Sequence, residues 1–312
     1  MIIFKPEDIQ EVLVSATRAL GATIPYREAR LQAELLLAHT LGTTRSMVLA
    51  RLNEKIDPET AARYAASVAR RAQQEPLAYI LGHREFYGLD FIVDRRVLIP
   101  RHETEMVVLL ALQRIQRVPH AIPVVVDVGT GSGAIALALA HNLPSARIIA
   151  TDISNDALAV AQMNAARLSL RDRVTFLQGN LLEPLTEPFD ILVANLPYIP
   201  KERYKDLSYE VRRFEPRIAL EGGDDGLAVI RRLLPQLKTR AANGSVAFLE
   251  ISEEQGTASV ELAQQQFPRA TTVLHQDLEG LDRVLEIRFQ DEAKVKVDFG
   301  LADDDDLPSG CC

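Results

Sequence analysis

The segment DVGTGSGAIALA, residues 127–138, decides the fold that we predict for this chain of 312 residues. It follows the apolar run VVV at 124–126 and continues into residues that favour a helix. The glycines at 129, 131 and 133 allow a tight turn in which the backbone approaches a ligand, and the following helix offers free N–H groups at its start. This pattern is typical of the first strand, turn and helix of a ligand-binding α/β sheet.

Strands and helices alternate after this segment. Short apolar runs predict strands at 124–129, 147–153, 174–180, 189–197, 244–252, 271–276 and 283–289. Helical spacing of apolar residues lies between most of them, for example at 225–238. Apolar strands that alternate with helices indicate an α/β fold with a mostly parallel, doubly wound sheet. We predict that the main α/β domain spans residues 102–290.

The residues before this domain have a different texture. Residues 1–75 carry apolar residues at helical spacing, with Leu31, Leu35 and Leu36 on a second helix and a further helix opening at Asp57 and Pro58. They predict a small helical-bundle domain. Residues 76–101 are rich in aromatic and β-branched residues and contain two glycines, which predicts a β-hairpin linker.

Composition narrows the class of protein. The chain is 47% hydrophobic and carries a net charge of −8, and residues 291–312 hold seven acidic residues against two lysines. We expect this acidic tail to be disordered. The mildly acidic body does not favour direct nucleic-acid binding. The only cysteines are Cys311 and Cys312, and we find no secretory or membrane-spanning pattern, so we expect a cytoplasmic protein.

A carboxylate lies at the end of the second predicted strand. Asp152 follows Gly133 by 19 residues, where it can accept hydrogen bonds from the ribose hydroxyls of an adenosine ligand. The spacing Gly129-x-Gly131-x-x-Ala134 also suits a nicotinamide dinucleotide. Asp127 favours S-adenosylmethionine, because an acid before the loop suits a cationic amino-acid group and not a pyrophosphate. The predicted donor-binding residues are Gly129, Thr130, Gly131, Ser132, Gly133 and Asp152.

A second polar motif follows the fourth predicted strand. Asn195, Leu196, Pro197 and Tyr198 come directly after the apolar run ILVA, at the sheet edge where ligands bind. The Asn195 side chain offers a carbonyl acceptor, Pro197 fixes the backbone beside the Leu196 carbonyl, and Tyr198 offers a flat stacking surface. Two acceptors can hold an NH₂ group with its plane fixed, so the motif predicts methyl transfer to a planar nitrogen. We predict these four as the catalytic residues.

The sequence resembles the PrmC/HemK family of protein-(glutamine-N5) methyltransferases. The resemblance covers most of residues 1–290 and rests on EPLAYILGHREFYG at 75–88, LIPRHETE at 98–105, DVGTGSG, ANLPYI and RFEPRIAL at 213–220. It implies a class I, Rossmann-like methyltransferase sheet with an N-terminal helical domain. It also implies methylation of the glutamine in the Gly-Gly-Gln motif of class I peptide chain release factors, in support of translation termination, with S-adenosylmethionine as co-substrate and no metal.

The resemblance also implies roles for single residues. Asn180 and Leu181 would flank the adenine, and Asn195 and the Leu196 carbonyl would hold the glutamine amide. Arg101, Glu103 and Glu105 would lie near the donor pocket, and the N-terminal bundle would grip the release factor. The sequence departs from the family pattern at Leu196 and His102, where the family has proline, and at Asn180, where an acid is common.

Three alternatives remain open from the sequence. Asn-Leu-Pro-Tyr is also typical of ribosomal-RNA adenine-N6 methyltransferases, although those enzymes begin with the donor domain and carry a basic surface. A non-catalytic protein that binds release factors would keep the fold without binding the donor. A nicotinamide-dependent dehydrogenase is a weaker alternative, because none of the six histidines suits hydride transfer.

Overall fold

A computed structural model describes residues 8–117 and 122–290. The predicted acidic tail at 291–312, with Cys311 and Cys312, lies outside the described residues. No helix in the described ranges is long and apolar enough to cross a membrane.

The chain begins with four helices, α1 (Ile9–Leu20), α2 (Tyr26–Leu41), α3 (Arg45–Ala50) and α4 (Pro58–Ala72). Asp57 caps α4 as predicted, since its carboxylate accepts a hydrogen bond from the Thr60 N–H at 2.9 Å and Pro58 occupies the first turn. The helices bury a shared apolar core that includes Leu13, Leu36 and Tyr64. Leu31 lies on this second helix as predicted, with its side chain exposed.

A hairpin connects these helices to the sheet, within the predicted linker at 76–101. Strands β1 (His83–Phe86) and β2 (Leu89–Ile92) pair antiparallel. A short helix, α5 (Leu77–Leu81), precedes them, which the aromatic texture of the segment did not predict. The hairpin is attached to the α/β body by Asn164, whose side chain bonds the N–H and the carbonyl of Ile92.

In the described residues, the α/β body contains a seven-stranded sheet. Its strands, in chain order, are β3 (Val124–Val128), β4 (Arg147–Asp152), β5 (Val174–Gln178), β6 (Phe189–Ala194), β7 (Ala241–Glu250), β8 (Thr271–Gln276) and β9 (Asp282–Arg288). Across the sheet the order is β5-β4-β3-β6-β7-β9-β8. The first five are parallel, and β9 pairs antiparallel with both β7 and β8. The predicted α/β class, with a helical N-terminal part, is confirmed.

Helices cover both faces of the sheet and bury two apolar cores. They are α6 (Glu105–Ile115), α7 (Ala134–Asn142), α8 (Asn155–Arg167), α10 (Ala228–Arg240) and α11 (Gly256–Gln266). The short helix α9 (Tyr209–Phe214) buries none of its residues. Short 3₁₀ turns lie at His102–Thr104, Arg171–Arg173, Lys201–Asp206, Arg217–Ala219 and Glu253–Gln255. The predicted α/β domain therefore begins with a 3₁₀ turn that leads into α6, and β7 begins three residues before its predicted start at 244.

The topology fixes where a ligand can bind. The strands that follow β3 in the chain lie on opposite sides of it, β4 on one side and β6 on the other. Loops that leave the carboxyl ends of such neighbours diverge toward opposite faces and leave a crevice between them. The glycine-rich segment follows β3, Asp152 ends β4 and Asn195 follows β6, so all three meet at this crevice.

Candidate active site

The glycine-rich turn is held against the neighbouring strand by its own backbone. The N–H groups of Gly129 and Thr130 both donate to the carbonyl of Thr151, at 2.8 and 2.9 Å. Gly129 has φ +74° and Gly133 has φ +81°, in the left-handed region that favours glycine. A Cβ at Gly133 would also lie 3.0 Å from the Leu137 side chain. A larger residue at position 133 would therefore have an unfavourable backbone conformation and too little space for its side chain.

The Asp127 carboxylate stabilises this turn from inside the protein. The residue is fully buried, and its Oδ2 accepts hydrogen bonds from the Thr130 hydroxyl at 2.7 Å and the Ala136 N–H at 3.1 Å. Burial raises the pKa of Asp127 to about 7. The sequence led us to expect this carboxylate at the cationic end of the donor. Its Oδ2 ties the turn to the start of α7, whereas its Oδ1 has no hydrogen-bond partner among the described residues, so the expected role beside the donor stays a prediction.

The Asp152 carboxylate lies at the cavity and organises both of its neighbouring turns. Its Oδ2 accepts from the Gly131 N–H and its Oδ1 from the Ser154 N–H, both at 2.9 Å. Each oxygen keeps a second lone pair that a hydroxyl group can use. Burial raises the pKa of Asp152 above its ordinary value.

Asn180 and Leu181 follow β5 and border the same cavity. The Asn180 side chain is engaged within the protein, since it donates to Glu183 and accepts from Arg232. Leu181 has φ +57°, which is strained for a branched side chain, and its carbonyl accepts the Thr151 hydroxyl at 2.9 Å. The groups that can contact an adenine at this point are therefore the backbone of Asn180 and Leu181 and the Leu181 side chain.

These turns enclose a cavity of about 300 Å³. That volume is at the lower end of the range for small-molecule sites, roughly 300–1,000 Å³. The cavity lining includes ten of the predicted residues, Gly129, Thr130, Gly131, Ser132, Asp152, Asn180, Leu181, Asn195, Leu196 and Pro197. Gly133 and Tyr198 do not line it: Gly133 packs against Ala161, and Tyr198 lines a neighbouring cavity. An acidic group among apolar walls suits an adenosine ligand such as S-adenosylmethionine.

The Asn195 side chain has a defined orientation. Its Nδ2 donates to the Thr104 hydroxyl at 2.9 Å, which leaves Oδ1 as the acceptor on the other side of the amide. Among the described residues, no group donates a hydrogen bond to the carbonyl oxygen of Leu196. The Leu196 side chain is buried and packs against the glycine-rich turn, where a Cβ on Gly129 would lie 3.0 Å from it. Leu196 can therefore contact a bound substrate only through its main chain.

A glycine-containing segment at 220–226 supports the Asn195 motif from behind. The Ile199 N–H donates to the Leu220 carbonyl at 2.9 Å, and the Gly222 N–H donates to the Ile199 carbonyl at 2.8 Å. Gln255 donates through Nε2 to the Tyr198 carbonyl at 2.9 Å. Neither Gln255 nor these glycines were candidates from the sequence, although a run such as EGGDDG is typical of a turn.

A second cavity, of about 240 Å³, lies behind Tyr198 and is lined by Arg101, Glu103, Tyr198, Glu250, Ile251 and Arg283. Glu250 ends β7 and is almost completely buried. Its Oε1 accepts the Tyr198 hydroxyl at 3.3 Å, and the nearby Thr104 side chain favours the ionised carboxylate and so lowers the pKa of Glu250. Burial raises the pKa of Glu250 to about 7. Neither Glu250 nor Thr104 was a candidate from the sequence.

The RHETE segment divides between the cavities and the hairpin. Arg101 lines both cavities and bonds the buried carboxylate of Glu215 at 2.5 Å, whereas Glu103 lines only the second. Glu105, which the resemblance implied near the donor pocket, faces the hairpin and accepts from the Tyr87 N–H at 3.2 Å. His102 is exposed and bonds Glu105 at 3.1 Å, so it lies outside both cavities.

Two family models match the chain. The model described as PrmC N-terminal domain matches residues 11–82, and the model described as ribosomal protein L11 methyltransferase (PrmA) matches residues 100–199. Among solved structures, the catalytic domain of hMettl16 in complex with MAT2A 3′UTR hairpin 6 superposes with a TM-score of 0.53 and 19% identity. The match covers 72% of this chain and 83% of that one. This likeness shows a shared methyltransferase fold and no more.

The curated relatives are far more similar. The release factor glutamine methyltransferase of Moorella thermoacetica is 48% identical over 256 residues, which cover 82% of this chain and 89% of the relative. The enzyme of the same name from Geobacter sulfurreducens is 42% identical over 287 residues, which cover 90% and 97%. Identity of this extent spans the N-terminal helices, the glycine-rich turn and the Asn195 motif together. The chain therefore belongs to the release factor glutamine methyltransferase family.

Proposed function

We propose that this enzyme transfers a methyl group from S-adenosylmethionine to the side-chain amide nitrogen of the glutamine in the Gly-Gly-Gln motif of class I peptide chain release factors. The observation that carries the proposal is the similarity to release factor glutamine methyltransferases along 82–90% of the chain. It supports a role in translation termination and, with it, a cytoplasmic location.

The donor binds in the cavity of about 300 Å³. When bound, S-adenosylmethionine supplies an electrophilic methyl group on a sulfonium. Asp152 accepts the ribose hydroxyls through its two remaining lone pairs, and the turn at 129–132 borders the rest of the ligand. Leu181 contributes the apolar contact beside the adenine. This assignment uses no metal ion.

The acceptor amide binds at Asn195. Its two N–H groups donate to Asn195 Oδ1 and the Leu196 carbonyl oxygen, which fixes the plane of the NH₂ group. The bond from nitrogen to the methyl carbon forms as the bond from sulfur to that carbon breaks, and one N–H proton then leaves to solvent. Fixed orientation is the main contribution, because an amide nitrogen is a weak nucleophile and gains most from alignment with the methyl group.

We propose that the N-terminal helices bind the release factor. The helices α1 to α4 precede the α/β body, and the family model that matches them is specific to this group of enzymes by its description. Tyr198 forms one wall of the glutamine slot in this proposal, from the side of the second cavity.

Transfer to adenine in ribosomal RNA is not favoured, because none of the relatives considered above carries that name. A methylation assay that offers a class I release factor and 16S-type RNA separately tests the choice. We expect label in the release factor only, with Asn195→Ala reduced at least about 100-fold, in the range for loss of one preorganised hydrogen-bonding group. Label in the RNA alone would overturn the proposal.

A further inference from the structure

A row of three polar side chains, Asn195, Thr104 and Glu250, leads from the acceptor site into the protein interior. Asn195 donates through Nδ2 to the Thr104 hydroxyl at 2.9 Å, and the Thr104 side chain in turn lies close enough to the Glu250 carboxylate to favour its ionised form and lower its pKa. Thr104 and Glu250 are 4% and 3% exposed, so solvent does not compete for these contacts. The three residues come from different parts of the chain: a 3₁₀ turn, the end of β7 and the loop after β6.

The negative charge of the Glu250 carboxylate decides which group donates and which accepts along this row of side chains. An ionised carboxylate can only accept, so the single proton of the Thr104 hydroxyl points to Glu250. The hydroxyl lone pairs are then left to accept from Asn195, which must present its NH₂ group there. We propose that Glu250 and Thr104 are positioning residues that hold Asn195 with Oδ1 toward the acceptor nitrogen. This inference rests on the proposed function.

Loss of this hydrogen-bond direction would allow the Asn195 side-chain amide to rotate. An Asn amide can rotate by half a turn at almost no cost in shape, which exchanges its carbonyl and its NH₂ group. A rotated Asn195 would present donors to the NH₂ group of the substrate, so neither group would be bonded. Because Oδ1 is one of only two acceptors for the substrate nitrogen, rotation lowers turnover without removing the binding surface for the release factor.

Glu250 is surrounded by groups that bear on its charge. The Tyr198 hydroxyl bonds it, Glu103 opposes its ionisation, Arg283 favours it, and Arg101 lines the same cavity. Its Oε2 has no hydrogen-bond partner among the described residues. Burial raises the pKa of Glu250 to about 7, so the carboxylate that directs Thr104 becomes populated as the pH rises through neutrality.

Steady-state kinetics with a release factor as substrate test the proposal. We expect Thr104→Val to lower kcat at least about tenfold while KM stays within about threefold, and Thr104→Ser to restore kcat, because serine keeps the hydroxyl. The exposed Thr239→Val variant on α10 is the matched control and should match the wild type. Equal kcat values for Thr104→Val and Thr104→Ser would overturn the proposal.

The pH dependence of kcat distinguishes an effect of the Glu250 charge on the orientation of Asn195 from an effect of side-chain packing. For the wild type we expect kcat to rise between about pH 6 and 8, and for Glu250→Gln we expect a lower and flat profile, because a carboxamide both donates and accepts. Glu261→Gln, on an exposed position of α11, is the control and should keep the rise. A rise that persists unchanged in Glu250→Gln would contradict the role of its charge.

A measurement without turnover keeps this inference separate from the proposed function. In protein labelled with [¹⁵N]asparagine, the side-chain NH₂ signal of Asn195 is assigned by its loss in Asn195→Ala. We expect slow hydrogen exchange of this group in the wild type and Thr104→Ser, and fast exchange in Thr104→Val. Equal exchange in all three would overturn the inference. Failure of the wild type to methylate a release factor would instead refute the proposed function.

Discussion

At the scale of single residues, the donor half of the site depends on one carboxylate with two tasks. Asp152 accepts N–H groups from both adjoining turns and keeps one lone pair on each oxygen at the cavity. We predict that Asp152→Ala weakens S-adenosylmethionine binding by about 10- to 100-fold, since hydrogen bonds to a charged group contribute about 1.5–3 kcal/mol. Titration calorimetry measures this directly. An unchanged dissociation constant would remove Asp152 from the donor site.

Asp127 provides a test of burial through pH. Its pKa is raised to about 7, whereas in the unfolded chain it ionises near 4. The folded state therefore resists ionisation, and its stability falls as the pH rises from about 4 to about 7 and levels off above that. We predict that Asp127→Asn becomes more stable relative to the wild type between pH 5 and 7, by about 1–3 kcal/mol, and that the difference is constant above pH 7.5.

Urea unfolding of both proteins at a series of pH values measures this difference. The exposed Asp172→Asn variant serves as the control and should show no such trend. If the gap between Asp127→Asn and the wild type does not depend on pH, the carboxyl of Asp127 is not shielded from water as the structure has it.

The site residues that directly follow strand ends could be predicted from the sequence. Ten of the predicted residues border one cavity because parallel strands bring their carboxyl ends together, and that rule needs only the order of the strands. The role that we expected for Asp127 beside the cationic end of the donor stays a prediction, and its hydrogen bonds within the turn were not predictable because a sequence does not show which way a buried side chain turns. Thr104, Gln255 and Glu250 were missed because each acts on a residue at least 52 positions away through a single hydrogen bond, which leaves no local pattern.

At the scale of elements, the turn at 220–226 holds the Asn195 motif in place. Gly226 has φ +78°, and a Cβ there would overlap the Tyr198 carbonyl and the Gln255 side chain. We predict that Gly226→Ala lowers the free energy of unfolding by more than about 2 kcal/mol, and lowers kcat as well, because the backbone beside Tyr198 must move.

Gly280 is the matched control for this change. It has φ +79°, but a Cβ there would meet nothing within 4 Å. Gly280→Ala should therefore show only the cost of the left-handed backbone, about 1–2 kcal/mol, and keep its kcat. Equal losses of stability and activity in the two variants would mean that contact with the Asn195 motif contributes nothing.

The elements themselves followed the sequence to different degrees. Most strands were predictable because they are short apolar runs bounded by turn residues, as at 124–128 and 189–194. The short helix Leu77–Leu81 and the turns at 201–219 were not predicted. Such segments are too short for a periodic pattern, and their structure depends on contacts such as the hydrogen bond that the Ile99 N–H donates to the Glu215 carboxylate.

At the scale of the whole molecule, an ion pair between a buried arginine and a half-buried glutamate joins the N-terminal helices to the α/β body. Arg71 of α4 bonds Gln32 at 2.6 Å, the Glu75 carbonyl at 3.0 Å and the carboxylate of Glu210 in α9 at 3.1 Å. Its side chain is 5% exposed. The pKa of Glu210 is raised by burial, with Arg71 opposing the rise. The N-terminal helices and the segment before RFEPRIAL are thus fixed to each other.

We predict that Arg71→Met lowers the free energy of unfolding by about 3 kcal/mol, because it leaves the buried partners of Arg71 without a donor. The surface pair of Arg147 and Glu187 provides a control, since the Arg147 side chain is 54% exposed. Arg147→Met should cost less than about 1 kcal/mol. Chemical denaturation of both variants gives the comparison, and similar costs would mean that the joint at Arg71 is no stronger than a surface contact.

The central claim, that this enzyme methylates the glutamine of a Gly-Gly-Gln motif, is tested most directly by mass spectrometry. A class I release factor is incubated with the enzyme and S-adenosylmethionine, digested, and the peptide that carries the motif is sequenced. We predict a single methyl group on the side-chain nitrogen of that glutamine, and none on a release factor in which this glutamine is replaced by alanine. A methyl group on any other residue, or an unmodified peptide after full incubation with active enzyme, would contradict the claim.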